Sequence, residues 1–420
     1  CYHDLTPKPA YFAHRTCALL LEGAVPDGIP NVGSRALARR FRRGTERIVA
    51  LWCPEGPATV LLRTGRSRPR QVDLMGNERP LPTVEGVATL RADENLSFVR
   101  GLNAQAAGVG ALVEMPRAVV ARGSHTLLSL KVRNPFPTSR TARVRVRAPA
   151  GLVLAPGEGA IRLPANGAGV FQTKVSAHRE TPMGWHLLEV RAQLPGLSAG
   201  DLVRLGVSGA PKDAGPVGYW KLDEGRGTHF FDSSGRGNHG TVEAPEWVPG
   251  VGGTALRFTG QPPAVVPAVP SLDLRDAVTL AFWLKVEKDT GTWQFPVTRF
   301  FGGDVLRNYG VYLNPGTLAP CFSASFERGS TRHTDFASNA PLEAGVWHHV
   351  AASYSMLDER VRLYVDGEMK VDGVFSGGAM RTTTDPLRLG QGTWGVLDEV
   401  RIYPRALAPA EVHALARERP

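Results

Sequence analysis

Two nearby segments decide the fold of this sequence: Gly345-Val-Trp-His-His-Val350 and Val361-Arg-Leu-Tyr-Val-Asp-Gly367. Both are short runs of β-branched and aromatic residues, and Asp366-Gly367 is a turn pair that joins antiparallel strands. The earlier segment Thr279-Leu-Ala-Phe-Trp-Leu284 has the same character. Large rings on such strands fill the space between two packed sheets. We expect these rings in that core: Trp220, Phe282, Trp283, Trp347 and Tyr364.

The same pattern extends along the chain of 420 residues, in which 47 glycines and 33 prolines separate short apolar runs. This punctuation is typical of all-β proteins. The sequence predicts an all-β fold of three β-sandwich domains: a small sandwich (25–104), an immunoglobulin-like sandwich (105–210) and a jelly roll (211–420). A helix is predicted over residues 4–23, with Thr6 as N-cap, Pro7 at its first position and Gly23 at its end.

The formal net charge of +10 raises the question of a nucleic-acid partner. The arginines of Ala142-Arg-Val-Arg-Val-Arg147 alternate along a strand and so share one solvent face. The cluster Arg39-Arg-Phe-Arg-Arg43 is short and leads into a strand. We interpret these residues as solvated edges or an acidic-partner surface and predict no nucleic-acid binding.

The four cysteines, Cys1, Cys17, Cys53 and Cys321, match no zinc spacing and leave their pairing open. No apolar run approaches 18 residues, so no membrane span is predicted. The chain begins at Cys1 without Met or a signal peptide. We interpret it as the C-terminal part of a longer polypeptide.

Residues 217–405 resemble the laminin-G-like members of the concanavalin A-like lectin/glucanase superfamily. Four segments carry the resemblance in order: Tyr219-Trp-Lys-Leu-Asp-Glu-Gly225 with Asp232-Ser-Ser-Gly-Arg-Gly-Asn-His-Gly240, Thr279 to Leu284, Gly345 to Gly367, and Gly395-Val-Leu-Asp-Glu-Val-Arg-Ile-Tyr403 with Leu407 to Leu415. The resemblance implies a jelly roll that binds ligand rather than catalysing a reaction.

The N-terminal part resembles the end of a TIM-barrel glycoside hydrolase and its appended β-sandwich. Pro7-Lys-Pro-Ala-Tyr-Phe-Ala13 is similar to the last barrel helix, and Asp73-Leu-Met-Gly-Asn77 and Phe98-Val-Arg-Gly101 are similar to a turn and closing strand of the sandwich. Residues 1–24 would then end a truncated barrel. The resemblance implies a non-catalytic accessory region of a secreted, bacterial carbohydrate-active enzyme.

Catalytic carboxylates are not expected in this chain. A glycosidase needs two carboxyl groups that face each other across a cleft. The acidic pairs Asp223-Glu224, Asp358-Glu359 and Asp398-Glu399 are adjacent, and neighbouring residues on a strand point to opposite faces. The same alternation separates the rings of His348 and His349.

Structural calcium is implied by the resemblance, held by carboxylates and carbonyl oxygens at the sandwich rim. The oxygen donors we predict are Asp232, Asn238, Asp398 and, further, Asp223. The alternative is that Asp232 and Asn238 cap turns.

Glycan binding needs an aromatic face for the sugar CH groups and polar groups for its hydroxyls. Loop-like stretches place the following residues as candidates: Trp293, Tyr309, Tyr312 and Trp394 as rings, with Arg299, Asn308 and Arg332 as donors. For each ring, packing in the core is the alternative. Two other functions stay open: a purely structural role beside an upstream catalytic domain, and a cell-surface adhesion module that binds protein.

Overall fold

The computed structural model describes residues 9–33, 35–54, 57–65, 67–260, 262–300, 306–328 and 332–418, with side chains from residue 13. The chain forms two compact units, Cys1–Val207 and Ser208–Pro420, here the N-terminal and C-terminal units. Cys1, Thr6 and Pro7 lie outside the described residues. Cys17 and Cys321 are free thiols, and the buried Cys53 donates from Sγ to the Arg35 carbonyl at 3.2 Å. Neither helix within the described ranges is long and apolar enough to cross a membrane.

The N-terminal unit begins with helix α1 (Pro9–Leu21) and continues in strands. In chain order they are β1 (Val25–Pro26), β2 (Leu37–Arg43), β3 (Glu46–Trp52), β4 (Ala58–Arg63), β5 (Arg70–Val72), β6 (Glu78–Pro80), β7 (Thr83–Val84), β8 (Val87–Ala92), β9 (Ser97–Leu102), β10 (Ala107–Ala111), β11 (Val113–Glu114), β12 (Ala118–Ala121), β13 (His125–Arg133), β14 (Arg140–Arg147), β15 (Leu152–Ala155), β16 (Glu158–Leu163), β17 (Ala168–Ala177), β18 (Gly184–Leu194) and β19 (Leu197–Ser208).

Four sheets of this unit form two sandwiches. The first combines the sheets β1-β2-β3-β9-β5-β6 and β10-β4-β8-β7, and the second combines β11-β13-β17-β15 and β12-β19-β18-β14-β16. Strand β14 alternates buried Ala142, Val144 and Val146 with exposed arginines, as its sequence predicts. Helix α1 packs through Leu20 against Ile48 and Phe98 of the first sandwich. The helix therefore finds its apolar partner in the sandwich that follows it.

The C-terminal unit is a jelly roll of two larger sheets. Its elements are β20 (Gly218–Trp220), β21 (His229–Phe230), β22 (Gly240–Thr241), β23 (Glu246–Pro249), β24 (Thr254–Thr259), β25 (Ala264–Val266), a 3-10 turn (Pro270–Leu272), β26 (Ala277–Val286), β27 (Gln294–Thr298), β28 (Gly310–Leu313), β29 (Pro320–Ala324), β30 (Thr334–Ala337), β31 (Trp347–Ser355), β32 (Arg360–Val365), β33 (Glu368–Val374), β34 (Leu387–Gln391), β35 (Trp394–Tyr403) and helix α2 (Pro409–Leu415).

We call the two sheets the back sheet and the front sheet. The back sheet runs β23-β24-β35-β26-β31-β32-β33, with β20 also paired to β35, and the front sheet runs β21-β22-β25-β34-β27-β28-β29-β30. Their inner faces share one core, in which Trp220, Phe282 and Phe322 are fully buried. Helix α2 covers the outer face of the back sheet: Leu407, Val412 and Leu415 pack on Ala281 and Ala351.

Three of the rings expected between the sheets lie elsewhere. Trp283 follows Phe282 on β26, and Phe282 takes the inner position, so Trp283 lies on the outer face. Its ring contacts His349 edge to face at 5.5 Å. Tyr364 is buried beneath α2 rather than in the main core, and Trp347 is half-buried under the Lys285 ammonium group. The prediction failed because it counted rings without separating the two faces of each strand.

Candidate functional site

The outer face of the front sheet carries polar and aromatic side chains where the inner face is apolar. Val311, Leu313 and Phe322 belong to the core. Because strand residues alternate, Tyr312 and its neighbours Cys321 and Ser323 on β29 point to the other face. Asp335 on β30 pairs with Ser323 and shares that face. Adjacent strands β27 to β30 therefore present one continuous outer surface.

An aromatic cluster occupies one end of this surface. The ring of Tyr312 meets Trp293 edge to face at 5.1 Å and Phe295 at 6.1 Å between centroids. Phe295 in turn contacts Phe300 edge to face at 6.1 Å. Trp293 is 50% exposed, whereas Tyr312 and Phe300 are buried beneath the cluster. The cluster thus offers one accessible indole supported by rings that hold it in place.

Gly310 allows the Phe300 ring to pack close to the backbone of β28. A Cβ atom at position 310 would lie 2.6 Å from Cε1 of Phe300, closer than real contacts allow. A larger residue on β28 would therefore displace the ring. The missing side chain sets the depth of the aromatic floor.

A polar network borders the aromatic cluster. Arg307 donates from Nη1 to Ser323 Oγ at 2.6 Å and to Asp335 Oδ1 at 3.2 Å, and Ser323 Oγ donates to the same carboxylate oxygen at 2.5 Å. The Arg307 guanidinium carbon lies 4.6 Å from the Phe300 ring centroid. Arg307 is buried, whereas Asp335 is exposed. A fixed guanidinium beside an exposed carboxylate supplies hydrogen-bond donors and acceptors at one place.

Ionisation adds no further charge to the aromatic end of the face. Burial raises the pKa of Tyr312 far above its usual value and raises the pKa of the Cys321 thiol to about 12. Both groups are therefore neutral at physiological pH. Arg307 and Asp335 carry the charge beside the rings, with His333 Nε2 3.4 Å from Asp335 Oδ2.

Three predicted ligand contacts are internal supports instead. Tyr309 is fully buried, and its hydroxyl donates to the Leu272 carbonyl at 2.8 Å. Arg299, also buried, donates to the Leu272 carbonyl and to Asn308 Oδ1, both at 2.8 Å, and pairs with Asp273. Tyr309 takes the core-packing alternative, because Tyr309 and Val311 share the inward face.

Asn308 completes the same support. Its Nδ2 donates to the carbonyls of Leu274 at 3.0 Å and Arg381 at 2.9 Å. With Arg299 and Tyr309 it anchors the 3-10 turn at Pro270–Leu272 to the front sheet. A fully buried amide with these partners has no surface to offer a sugar.

Two candidates remain, Trp394 and Arg332. Trp394 is half-buried at the start of β35, with the Lys288 ammonium 3.5 Å from its ring centroid. Its backbone N–H donates to Gln294 Oε1 at 2.9 Å, so the beginnings of β27 and β35 are neighbours. Arg332 is exposed. The structure therefore brings the rings of Trp293 and Tyr312 into contact and places Trp394 beside the start of β27.

Sequence reasoning missed Phe295, Phe300, Arg307, Ser323 and Asp335. A signal was available for two of them. Ser323 and Asp335 each stand next to a phenylalanine, Phe322 and Phe336, on a strand with period two. Polar residues that alternate with core rings mark the outer face of a sheet.

The predicted calcium ligands fall into two separate places. Asp232 and Asn238 form one turn: Asp232 Oδ1 accepts from the Tyr219 and Ser234 N–H groups, and Oδ2 accepts from Ser234 Oγ and the Asn238 N–H, all within 2.9 Å. Burial alone would raise the pKa of Asp232. The hydrogen bonds to the carboxylate outweigh that effect, so the pKa is lower than usual. The side-chain amide oxygen of Asn238, Oδ1, already accepts from the Ser271 hydroxyl at 3.0 Å. This arrangement has the geometry of the turn-capping alternative.

Asp398 and Asp223 flank a glycine loop instead. Asp398 Oδ2 accepts from the Val251 N–H at 2.7 Å, and Asp223 Oδ1 accepts from the Thr254 N–H at 3.0 Å. Burial raises the pKa of Asp398 to about 7 against the effect of its N–H donors. Within the described ranges no three His, Cys, Asp or Glu side chains cluster as metal ligands do. Calcium stays a prediction.

Comparison with known proteins places the C-terminal unit. Residues 258–413 match the family model of the concanavalin A-like lectin/glucanases superfamily, so this unit is a laminin-G-like jelly roll, as the sequence predicts. No curated protein matches the sequence.

Three of the solved structures that resemble the chain illustrate the range of the likeness. Domain 4 of an extracellular arabinanase from Geobacillus stearothermophilus, solved with arabinotriose, is 24% identical over 49% of this chain and 100% of its own, with a TM-score of 0.37. A sialidase carbohydrate-binding module from Ruminococcus gnavus, bound to sialyllactose, is 15% identical over 39% of this chain and 95% of its own (TM-score 0.31). A protein from Bacteroides ovatus, assigned to carbohydrate binding by inference, is 12% identical over 72% of this chain and 83% of its own (TM-score 0.28). These likenesses are too distant to transfer a ligand.

Proposed function

We propose that the C-terminal unit binds glycan on the outer face of its front sheet. One observation carries the proposal: the exposed indole of Trp293 stands against Tyr312, beside the Arg307–Asp335 pair. A ring offers its face to sugar CH groups, and a fixed donor and acceptor reach the hydroxyls. Rings and polar groups that are already held by neighbours lose little entropy on binding.

The role we propose for the chain is that of a non-catalytic accessory region in a secreted, extracellular carbohydrate-active enzyme. The family match of the C-terminal unit supports this role. The geometry of the acidic pair in β35 also supports it: Asp398 receives the Val251 N–H, whereas Glu399 Oε2 receives the Tyr219 hydroxyl and the Arg401 guanidinium. Two carboxylates so engaged in different directions do not face one substrate.

A glycan array probed with the full chain would identify the ligand, and affinity electrophoresis would measure it. Trp293→Ala should weaken binding about tenfold, equivalent to about 1.4 kcal/mol, without lowering the melting temperature. Phe231→Ala is the matched control. Phe231 is 55% exposed and follows β21, at the opposite edge of the front sheet.

The outcomes separate the proposal from its alternatives. Absence of retardation on every polysaccharide, with and without Ca²⁺, would contradict glycan binding and favour the structural role or protein adhesion. Equal loss in Phe231→Ala and Trp293→Ala would move the site away from the aromatic cluster. Hydrolysis of aryl-glycosides by the purified chain would contradict the non-catalytic role.

A further inference from the structure

A cleft of about 340 Å³ lies between the two sandwiches of the N-terminal unit. One wall is the outer face of the five-stranded sheet, from β14, β18 and β19. The other wall comes from the start of β4 and the end of β8, where Thr59 pairs with Arg91. Thr59 Oγ1 donates to the Gly200 carbonyl at 2.8 Å and fixes the walls to each other. The cleft is therefore a built feature of this unit.

Arginines dominate the lining of this cleft. Strands β14 and β18 place Arg145 directly opposite Arg191, and Arg147 opposite Glu189. Like charges directly opposite each other on paired strands destabilise a sheet. Arg91 of the first sandwich adds a fourth guanidinium. The like-charge pair is a cost to the fold that a bound anion would remove.

The acidic groups nearby leave part of this charge uncompensated. Asp201 already accepts the Thr59 and Leu202 N–H groups and lies 3.5 Å from Arg35. Arg145 pairs with Glu158 at 2.7 Å. Both Arg147 and Arg191 belong to the β14–β18 ladder through their backbones, and their guanidinium groups form neither a hydrogen bond nor an ion pair with the residues that the structure describes. Two carboxylates, Glu189 and Asp201, line the cleft against four guanidinium groups, and Asp201 also interacts with Arg91.

The spacing of these groups selects the kind of anion. Residues 145 and 147 are about 7 Å apart along one strand, and β18 lies about 5 Å to the side. A single small anion cannot reach all of these guanidinium groups, whereas a chain with repeated anionic groups can. Guanidinium forks match carboxylate and sulfate oxygens in a bidentate manner. The lining contains no aromatic ring on which a nucleic-acid base could stack.

We propose that this cleft is a second binding site, which takes a linear oligosaccharide bearing carboxylate or sulfate groups. The choice of a saccharide among polyanions rests on the glycan binding proposed for the C-terminal unit. The site itself rests on Arg91, Arg147 and Arg191 and is independent of the Trp293 cluster.

Titration calorimetry of the full chain tests the proposal with four probes: an oligogalacturonate hexasaccharide, a heparin-derived hexasaccharide, neutral cellohexaose and a short single-stranded DNA. We expect at least one of the two anionic saccharides to bind. Comparing their affinities shows whether the cleft prefers carboxylate or sulfate groups. The affinity should fall when ionic strength rises from about 0.01 to about 0.1 M, because the Debye length shortens from about 30 to about 10 Å.

The deciding variant is Arg147→Ala combined with Arg191→Ala, both exposed residues whose loss should leave the melting temperature unchanged. This double variant should lower the affinity for the anionic saccharide about tenfold. The control is Lys131→Ala combined with Lys174→Ala. These exposed lysines lie on β13 and β17, in the other sheet of the same sandwich. Their substitution removes the same charge as the arginine variant.

Three results would contradict saccharide binding in the cleft: no binding of either anionic saccharide, equal weakening in the lysine control, or DNA bound as tightly as the saccharides. Trp293→Ala separates this proposal from the first. If Trp293→Ala abolishes the anionic saccharide and the arginine variant does not, the ligand belongs to the C-terminal unit and the cleft is refuted. If only the arginine variant loses binding, the cleft stands even where the front-sheet site fails.

Discussion

The two outer faces of the jelly roll are built from the same strand pattern but filled differently. On the back sheet, Ala281 and Ala351 are small enough for helix α2 to lie close, and Leu407, Val412 and Leu415 seal the face. On the front sheet, Tyr312, Phe300 and Arg307 form a floor from which Trp293 projects. A face that the chain covers for itself serves stability, and a face finished with rings and charges is suited to a ligand.

The largest expected effect comes from breaking the covered face. Val412→Asp would place a charge among Leu407, Leu415 and Ala281, and should lower the free energy of unfolding of the C-terminal unit by about 4 kcal/mol. Thermal unfolding followed by near-ultraviolet circular dichroism would measure this. Ala414→Asp is the control, because Ala414 is exposed on the same helix. Similar losses in both variants would contradict the assignment of α2 as a cover.

The next effect is a pH dependence of the covered face. His349 is 2% exposed against Trp283, and burial, with a contribution from Arg401 and against the pull of Asp366, lowers its pKa to about 4 from 6.5. Between pH 4 and 6.5 the unfolded chain binds the extra proton, so stability falls as the pH falls through that window, by at most about 3 kcal/mol from this group.

His349→Phe isolates that contribution. Urea unfolding at pH 6.5 and pH 4 should show a smaller acid-induced loss in the variant than in the parent. Asp398, whose pKa burial raises to about 7, acts in the opposite sense in both proteins and cancels in the comparison. An identical loss in both proteins would refute the role of His349.

The rim between the faces gives an intermediate effect. Asp232→Ala removes the acceptor for four donors from Tyr219, Ser234 and Asn238, and should cost about 2 kcal/mol. The loss should be the same in CaCl₂ and in a chelator if the carboxylate only caps the turn. A loss confined to calcium-containing buffer would instead assign a cation to Asp232.

The smallest effect sharpens the front face. Arg307→Lys keeps the charge but loses the contact of the planar guanidinium with the Phe300 ring. It also loses the guanidinium hydrogen bonds to Ser323 and Asp335. It should weaken the glycan identified on the array about fivefold, close to 1 kcal/mol. Calorimetry measures the affinity, and thermal unfolding reports folding. A lower melting temperature with unchanged affinity would make Arg307 a purely structural residue.

The sequence predicts the all-β fold because strand periodicity is local. Leu280, Phe282 and Leu284 alternate, and all three lie in the core. The sequence misplaced Trp283 because β26 also has residues packed on its outer face, where Ala281 lies under α2, and that contact joins residues more than a hundred positions apart. A nearly continuous apolar strand is the sign of burial on both faces.

The candidate site was predicted in part for a similar reason. Trp293 and Tyr312 were both named as candidates from loop-like stretches, and the structure brings their rings together. Tyr309 and Asn308 looked equally accessible in sequence, yet they hold the 3-10 turn through Leu272 and Leu274. Which of two adjacent polar groups is consumed by a distant carbonyl depends on tertiary contacts that periodicity does not contain.

Hydrogen–deuterium exchange of the full chain, with and without the glycan identified on the array, tests the central claim most directly. We predict slower exchange in peptides covering Gln294–Thr298, Gly310–Leu313 and Thr334–Ala337, the strands of the front-sheet site, and no change in Pro409–Leu415 of α2. Protection confined to α2 or to residues 224–231, with none across the front-sheet strands, would contradict the assignment of the two faces.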